Sequence, residues 1–320
     1  MHYISAIATL FSLASLGNAL NSSLQHVTGF TAGPTAAGMY IYVPTTKVSP
    51  APIIVAMHGC VATASAYFSG TLYAQYADTH GYIVIYPNSP SSGGCWDVSS
   101  TASLTHNGGG DSKTIINMVS YAVSNYGGDA SRVYATGTSS GAMMTNVLAG
   151  AYPDIIKAGS AYSGVPDGCF YVPSATPGMS TPAWNSQCAQ GNLTLTAEQW
   201  GKITRMYYPG YTGSRPKMLM YATLLLVYVR NKRQPTYHLH SWHGTIDTVL
   251  YYENLAQELL QWSNVLGVSF AKNNTNTPQS GYTQIVYGDG THLIGYSALN
   301  VGHTVPVHET TDLAWFGITG

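Results

Sequence analysis

The sequence predicts an α/β fold, a mostly parallel sheet with helices on both faces. Three observations predict it: apolar runs of strand length, helical periodicities between them, and turn residues that close each segment. Residues 39–43 read as a first strand. Residues 53–57, Ile-Ile-Val-Ala-Met, are apolar throughout, as a strand buried on both faces must be. Residues 64–79 have helical spacing and stop before Gly81, and 82–86 form the next buried strand, closed by Pro87. Asp111 is a good N-cap for a helix whose apolar face carries Ile115, Met118, Val119, Ala122 and Val123. A strand at 132–136 then leads to a helix at 142–149. Later come a strand at 217–220, a helix at 254–266, a β pair around 284–286 and 293–296, and a short helix near 313–316. No internal repeat interrupts this order.

Composition narrows the function classes. The chain has 320 residues, 45 % of them hydrophobic, enough for a sizeable single core. Only 8 % are charged and the net charge is −1. Nucleic acid and anionic membrane surfaces need a basic face, so neither is expected as a partner. The surface must be covered by uncharged polar residues and by some of the 25 tyrosines, which suits an extracellular protein that meets uncharged sugar. A monomer is expected.

The first residues form an apolar run ending in the small residues Gly17 and Ala19. That pattern fits a signal peptide at 1–19, cleaved after Ala19, too short to span a bilayer comfortably. A buried N-terminal helix is the plainer alternative. Residues 20–320 then form one catalytic domain. No Ser/Thr/Pro linker with a cysteine-rich appendage follows, so no separate cellulose-binding module is expected. In a secreted chain, the four cysteines Cys60, Cys95, Cys169 and Cys188 suggest two disulfides, with three possible connectivities. Sequence order favours Cys60–Cys95 and Cys169–Cys188. Metal ligation is the weaker reading, because no CxxC or close Cys/His cluster exists. Sequons at Asn21, Asn192 and Asn273 are candidate glycosylation sites.

The strongest local signal is Gly137-Thr138-Ser139-Ser140-Gly141. It follows a predicted strand and precedes a helix, the context of a nucleophile elbow in the α/β-hydrolase fold. The turn strains Ser139 and presents its hydroxyl at a helix N-terminus, where the dipole favours developing negative charge. Flanking glycines leave room for the neighbouring strand and helix. In this fold the acid and the histidine follow the serine in that order. His243-Gly244-Thr245-Ile246-Asp247 supplies Asp247, and Gly302-His303-Thr304-Val305-Pro306 supplies His303. His308, His292 and His106 are alternatives for the base, and Asp289 in Gly-Asp-Gly reads as a turn former. An oxyanion hole needs two backbone donors. The candidates are the N–H of Ser140 and, from His58-Gly59-Cys60, the N–H of Cys60. His58 would then orient the loop.

These segments, with Cys95-Trp96-Asp97, Tyr162-Ser163-Gly164-Val165-Pro166, Trp184-Asn185-Ser186-Gln187-Cys188-Ala189 and Arg215-Pro216-Lys217-Met218, resemble the fungal acetylxylan esterases. These are relatives of feruloyl esterases and polyhydroxybutyrate depolymerases, and the likeness covers nearly the whole chain after residue 19. It implies deacetylation of xylan through an acyl-enzyme, without metal or organic cofactor. In the resembling family the positions matching Ser139, Asp247 and His303 form the triad. Feruloyl esterase is the alternative activity, polyester depolymerase a third, and a catalytically impaired carbohydrate-binding relative a reading from another class. Trp184 is a candidate substrate contact, with a core tryptophan as the equal alternative.

One segment departs from the family. The strand matching Lys217-Met218-Leu219 should run into an aromatic-His-Gly and then Asp247, but residues 222–242 intervene. They hold an apolar Leu224-Leu225-Leu226-Val227-Tyr228-Val229 run followed by Arg230, Lys232 and Arg233, with no acidic residue. A natural loop insertion is one reading. A retained intron is the other: Met220-Tyr221-Ala222 is encoded ATG-TAY-GCN, which contains the donor-like GTAYGC. His240-Ser241 can be CAY-AGY, which contains the acceptor YAG. Splicing would join AT to Y, giving Leu-Ile-Trp-His-Gly-Thr-Ile-Asp in frame.

Overall fold

A computed structural model describes residues 23–31, 33–177, 182–224 and 247–319. Its elements, in order, are β1 (Gln25–His26), β2 (Gly38–Tyr42), β3 (Ala51–Met57), α1 (Ala64–Gly70), α2 (Tyr73–His80) and β4 (Ile83–Asn88). Then follow α3 (Thr101–Leu104), α4 (Gly110–Tyr126), β5 (Gly128–Thr138), α5 (Ser140–Ala151), β6 (Ile156–Tyr162), α6 (Ser186–Ala189) and α7 (Ala197–Met206). The last are β7 (Lys217–Leu224), α8 (Glu253–Leu266), β8 (Phe270–Thr275), β9 (Tyr282–Tyr287), β10 (Leu293–Leu299) and α9 (Glu309–Phe316).

The described strands form one open sheet, ordered β1-β2-β4-β3-β5-β6-β7-β10-β9-β8. Its centre, from β4 to β10, is parallel throughout, with antiparallel strands at both edges. All seven residues of β3 are buried, as expected where helices cover both faces. α4, α5 and α8 pack against the sheet through apolar residues such as Ile115, Met144 and Leu259. Tyr73, Phe316 and their neighbours fill a second core. The α/β-hydrolase expectation holds.

Several local expectations change. The single helix expected at 64–79 is two helices, because Thr71 is extended at φ −130 and the Leu72 N–H is taken by Glu309 Oε1 at 2.7 Å. Pro87 does not close its strand: β4 runs on to Asn88, and Pro87 pairs with Met39 of the antiparallel β2. Asp111 is not an N-cap. Gly109 holds that place, and the Asp111 carboxylate, inside the first turn, accepts the Asp97 N–H at 2.9 Å. The expected leader at 1–19, the sequon Asn21 and most of the anomalous segment lie outside the described residues. Asn192 and Asn273 are exposed. Both disulfides favoured by sequence order are present.

The core holds an unusual set of buried acids. Burial pushes Asp111 up to about 6, Asp312 up to about 7 and Glu258 up to about 8. Asp167 is also raised well above the usual carboxylate range by burial, with neither carboxyl oxygen hydrogen-bonded. Each folded-state value lies above its unfolded one, so the folded chain binds the extra proton. That stabilisation is complete below the unfolded carboxyl range and is lost as pH rises through about 6 to 8. Thermal unfolding is therefore expected several degrees lower at pH 8.5 than at pH 5.5. Glu258→Gln, which keeps the acceptor for Asn146 Nδ2, should flatten that slope. An equal slope in parent and variant would remove Glu258 from the account.

Candidate active site

The nucleophile elbow begins with β5, which ends at Thr138 and passes through Ser139 straight into α5. Ser139 sits at φ 57 and ψ −120, a strained conformation for a residue with a side chain. Its N–H is tied to the Tyr162 carbonyl of β6 at 2.8 Å, and its own carbonyl accepts the Met143 N–H at 3.0 Å. These bonds hold the strain. Space for the turn comes from the glycines: a Cβ on Gly141 would overlap the Met57 carbonyl, and one on Gly137 would strike Gly141.

The three residues singled out in the sequence come together. His303 Nε2 lies 2.9 Å from Ser139 Oγ, and His303 Nδ1 lies 2.7 Å from Asp247 Oδ2. Asp247 is buried and His303 partly so, at 3 % and 20 % side-chain exposure. The second carboxyl oxygen, Oδ1, accepts the N–H groups of Val249 and Leu250, each at 2.9 Å. This short-range aspartate turn is a familiar side-chain–backbone motif, and Asp247-Thr248-Val249-Leu250 could have suggested it. The arrangement can take the serine proton onto Nε2 while the carboxylate fixes Nδ1–H.

The other candidates fall away for physical reasons. His308 stacks on Tyr221 at 5.5 Å and meets Tyr282 edge-on, and burial lowers its pKa. His106 lies with Nδ1 2.7 Å from the Ala151 carbonyl and stacks on Tyr208, while His292 is exposed beside Thr291. Asp289 closes a turn by accepting from Thr291. A general base must be unprotonated to act, so activity should rise with pH along an acid limb. His308→Ala should keep both that limb and kcat/KM, within about twofold, between pH 5 and 8. Loss of the limb in this variant would move the role to His308.

At the oxyanion side, the loop after β3 presses against the nucleophile: a Cβ on Gly59 would stand 3.2 Å from Ser139 Cβ. Cys60 follows directly and is bonded to Cys95. Ser140 begins α5, so its N–H is among the free donors of a helix start. Trp184 is 54 % exposed and packs edge-on against Phe170 at 5.1 Å. The core alternative for it is therefore excluded. Sequence reasoning passed over two supports of the site, the Tyr162 carbonyl and Trp96. Both stood inside quoted segments, but nothing in the residue types marked them.

Comparison with known proteins agrees with this geometry. Residues 37–183 match the family model described as Esterase PHB depolymerase. The chain is 46 % identical over 300 residues to Acetylxylan esterase A of Aspergillus ficuum, covering 93 % of this chain and 90 % of that one. It is 48 % identical over 301 residues to Feruloyl esterase B of Talaromyces funiculosus, covering 94 % and 78 %. The solved acetyl xylan esterase from Aspergillus awamori superposes with a TM-score of 0.82 at 45 % identity, covering 93 % of this chain and all of that one. With a serine-hydrolase sheet, an elbow serine and relatives this similar over nearly its whole length, the chain belongs to the acetylxylan esterase family and is a carboxylic ester hydrolase.

Proposed function

We propose that the protein removes acetyl groups from acetylated xylan through an acyl-enzyme intermediate. One observation carries the reading: the unbroken hydrogen-bonded series Ser139–His303–Asp247 at 2.9 and 2.7 Å. Ser139 Oγ attacks the acetyl carbonyl while His303 Nε2 takes its proton, and Asp247 holds the imidazolium. The N–H groups of Cys60 and Ser140 receive the carbonyl oxygen as it becomes an oxyanion. His303 returns the proton to the departing sugar oxygen. Water, deprotonated by the same imidazole, then releases acetate and frees Ser139. No step calls on a metal or organic cofactor. Trp184, exposed and aromatic, is a candidate contact for substrate.

The chain acts as a secreted monomer with a leader at 1–19, one catalytic domain from residue 20, and glycans at the exposed sequons. The anomalous segment 222–242 marks a retained intron, whose removal would replace residues 220–241 by one isoleucine. Feruloyl ester cleavage is the second reading, favoured by the 48 % identity to a feruloyl esterase. Acetate release from acetylated xylan, set against ferulate release from feruloylated arabinoxylan, separates them. Acetate should dominate. Ferulate as the main product would reverse the assignment, and no turnover of either ester or of 4-nitrophenyl acetate would favour an impaired carbohydrate-binding relative.

A further inference from the structure

The segment Cys95-Trp96-Asp97 takes no part in the chemistry above, yet it is tied to both walls of the proposed oxyanion hole. Trp96 is 1 % exposed and out of reach of substrate. Its main-chain N–H donates to Ser140 Oγ at 2.7 Å, and its indole Nε1–H donates to the His58 carbonyl at 2.9 Å. The residue before it, Cys95, is disulfide-bonded to Cys60. We infer that Trp96 is a positioning residue that sets the spacing and orientation of the Cys60 and Ser140 N–H groups. This rests on the assignment of those two groups as the oxyanion donors.

The peptide geometry shows how. His58 Nε2 accepts the Ser89 N–H at 3.1 Å, so the ring proton sits on Nδ1, which donates to the Gly59 carbonyl 2.8 Å away. Burial lowers the His58 pKa and favours this neutral form. The Gly59 C=O and the Cys60 N–H belong to one planar trans peptide and point in opposite directions. Drawing the carbonyl to the imidazole therefore turns the Cys60 N–H away from it. The preceding peptide, between His58 and Gly59, is fixed by the Trp96 indole. Both peptide planes leading to the first donor are thereby set, and the Trp96 main chain holds the residue that carries the second.

The clamp has a firm base. Asp97 accepts the N–H groups of Ser99 and Ser100 at 3.2 and 3.0 Å and the Ser103 hydroxyl at 2.8 Å. Its own N–H goes to Asp111 on α4. Trp96 is thus suspended between a rigid acidic corner and the two donors. Such outlying bonds matter because a donor must meet the oxyanion where it forms, not where the ground-state carbonyl lies.

Two variants test this. Trp96→Phe removes the indole N–H and keeps an aromatic ring in the core. Ser140→Ala removes the hydroxyl that accepts the Trp96 N–H and leaves the Ser140 N–H in place. Each should lower kcat on 4-nitrophenyl acetate roughly tenfold, short of the 10²–10³ for outright loss of a donor, with KM changed less than about twofold. The Ki of a boronic acid, whose tetrahedral serine adduct places a boron-bound oxygen where the oxyanion forms, should rise by the same factor. The double variant should lose less than the product of the two, since both open one bracket. If Trp96→Phe does not fold, Ser140→Ala and its Ki decide alone. Folded variants with the parent's kcat and Ki, beside an inactive Ser139→Ala, would overturn the positioning role and leave the nucleophile assignment standing. An active Ser139→Ala would instead remove the site reading on which the inference rests.

Discussion

Ser139→Ala is expected to cut kcat on 4-nitrophenyl acetate by up to about 10⁶-fold, the order of loss when the serine of a triad is removed. The substitution deletes one oxygen and its bond to His303. The main-chain anchors to Tyr162 and Met143 involve only backbone atoms and survive. The sheet should therefore be unchanged, and circular dichroism and unfolding temperature should match the parent. Residual rate above water would come from oxyanion donors and binding alone. A variant with near-parent turnover would place the nucleophile elsewhere.

The second large effect concerns the stretch between β7, which runs on through Ala222 to Leu224, and Asp247. β7 ends at Leu224, and the acid it should deliver lies at Asp247. The Asp247 carboxylate nevertheless reaches His303, aided by the Val249 and Leu250 N–H groups. Contact is not the same as rigidity. An aspartate placed directly after a buried strand inherits its fixed position, and misplacement near 1 Å can cost about 10²-fold in rate. Replacing residues 220–241 by one isoleucine restores Leu-Ile-Trp-His-Gly-Thr-Ile-Asp and removes a long connection. Shortening a loop by about three doublings of length recovers roughly 2 kcal/mol of closure entropy. The shortened protein should turn over up to about 10²-fold faster and unfold at higher temperature, and the transcript pool should contain the spliced form. Full activity in the long chain, with no shorter transcript, would leave a tolerated insertion.

How much of this was legible in the sequence depended on side-chain bulk. β3 and β4 announce themselves through Ile, Val and Tyr runs. β6 was missed although Ala158, Gly159, Ser160 and Ala161 are all buried. Its small residues reflect close packing: a Cβ on Gly159 would meet Met218 and Thr145. Small buried residues give no hydropathy signal for a strand. α7 was missed as well, despite its Thr196-Gln199 capping box, because no long apolar run drew attention to it. The break between α1 and α2 depends on Glu309, more than two hundred residues away, and no local window contains that information.

The candidate site was read better than its surroundings. Ser139, Asp247 and His303 could be placed in order because the elbow motif carries its own geometry. The choice between His303 and His308 could not be made from spacing; in the structure His303 lies against Ser139 and Asp247, while His308 stacks on Tyr221. Asp111 misled because its residue type suits an N-cap, while its carboxylate is committed to Asp97. Trp96 was visible only as one letter of a motif. Its role depends on two partners, His58 and Ser140, from separate parts of the chain.

The most direct test is covalent. An organophosphonate with a good leaving group should react with the purified protein once, forming a bond from phosphorus to the attacking oxygen and expelling that group. Intact-mass measurement followed by peptide mapping should find a single adduct on the Ser139 peptide, with hydrolysis lost in proportion and no adduct in Ser139→Ala. An adduct on another residue, or full hydrolysis in protein labelled at Ser139, would contradict the account.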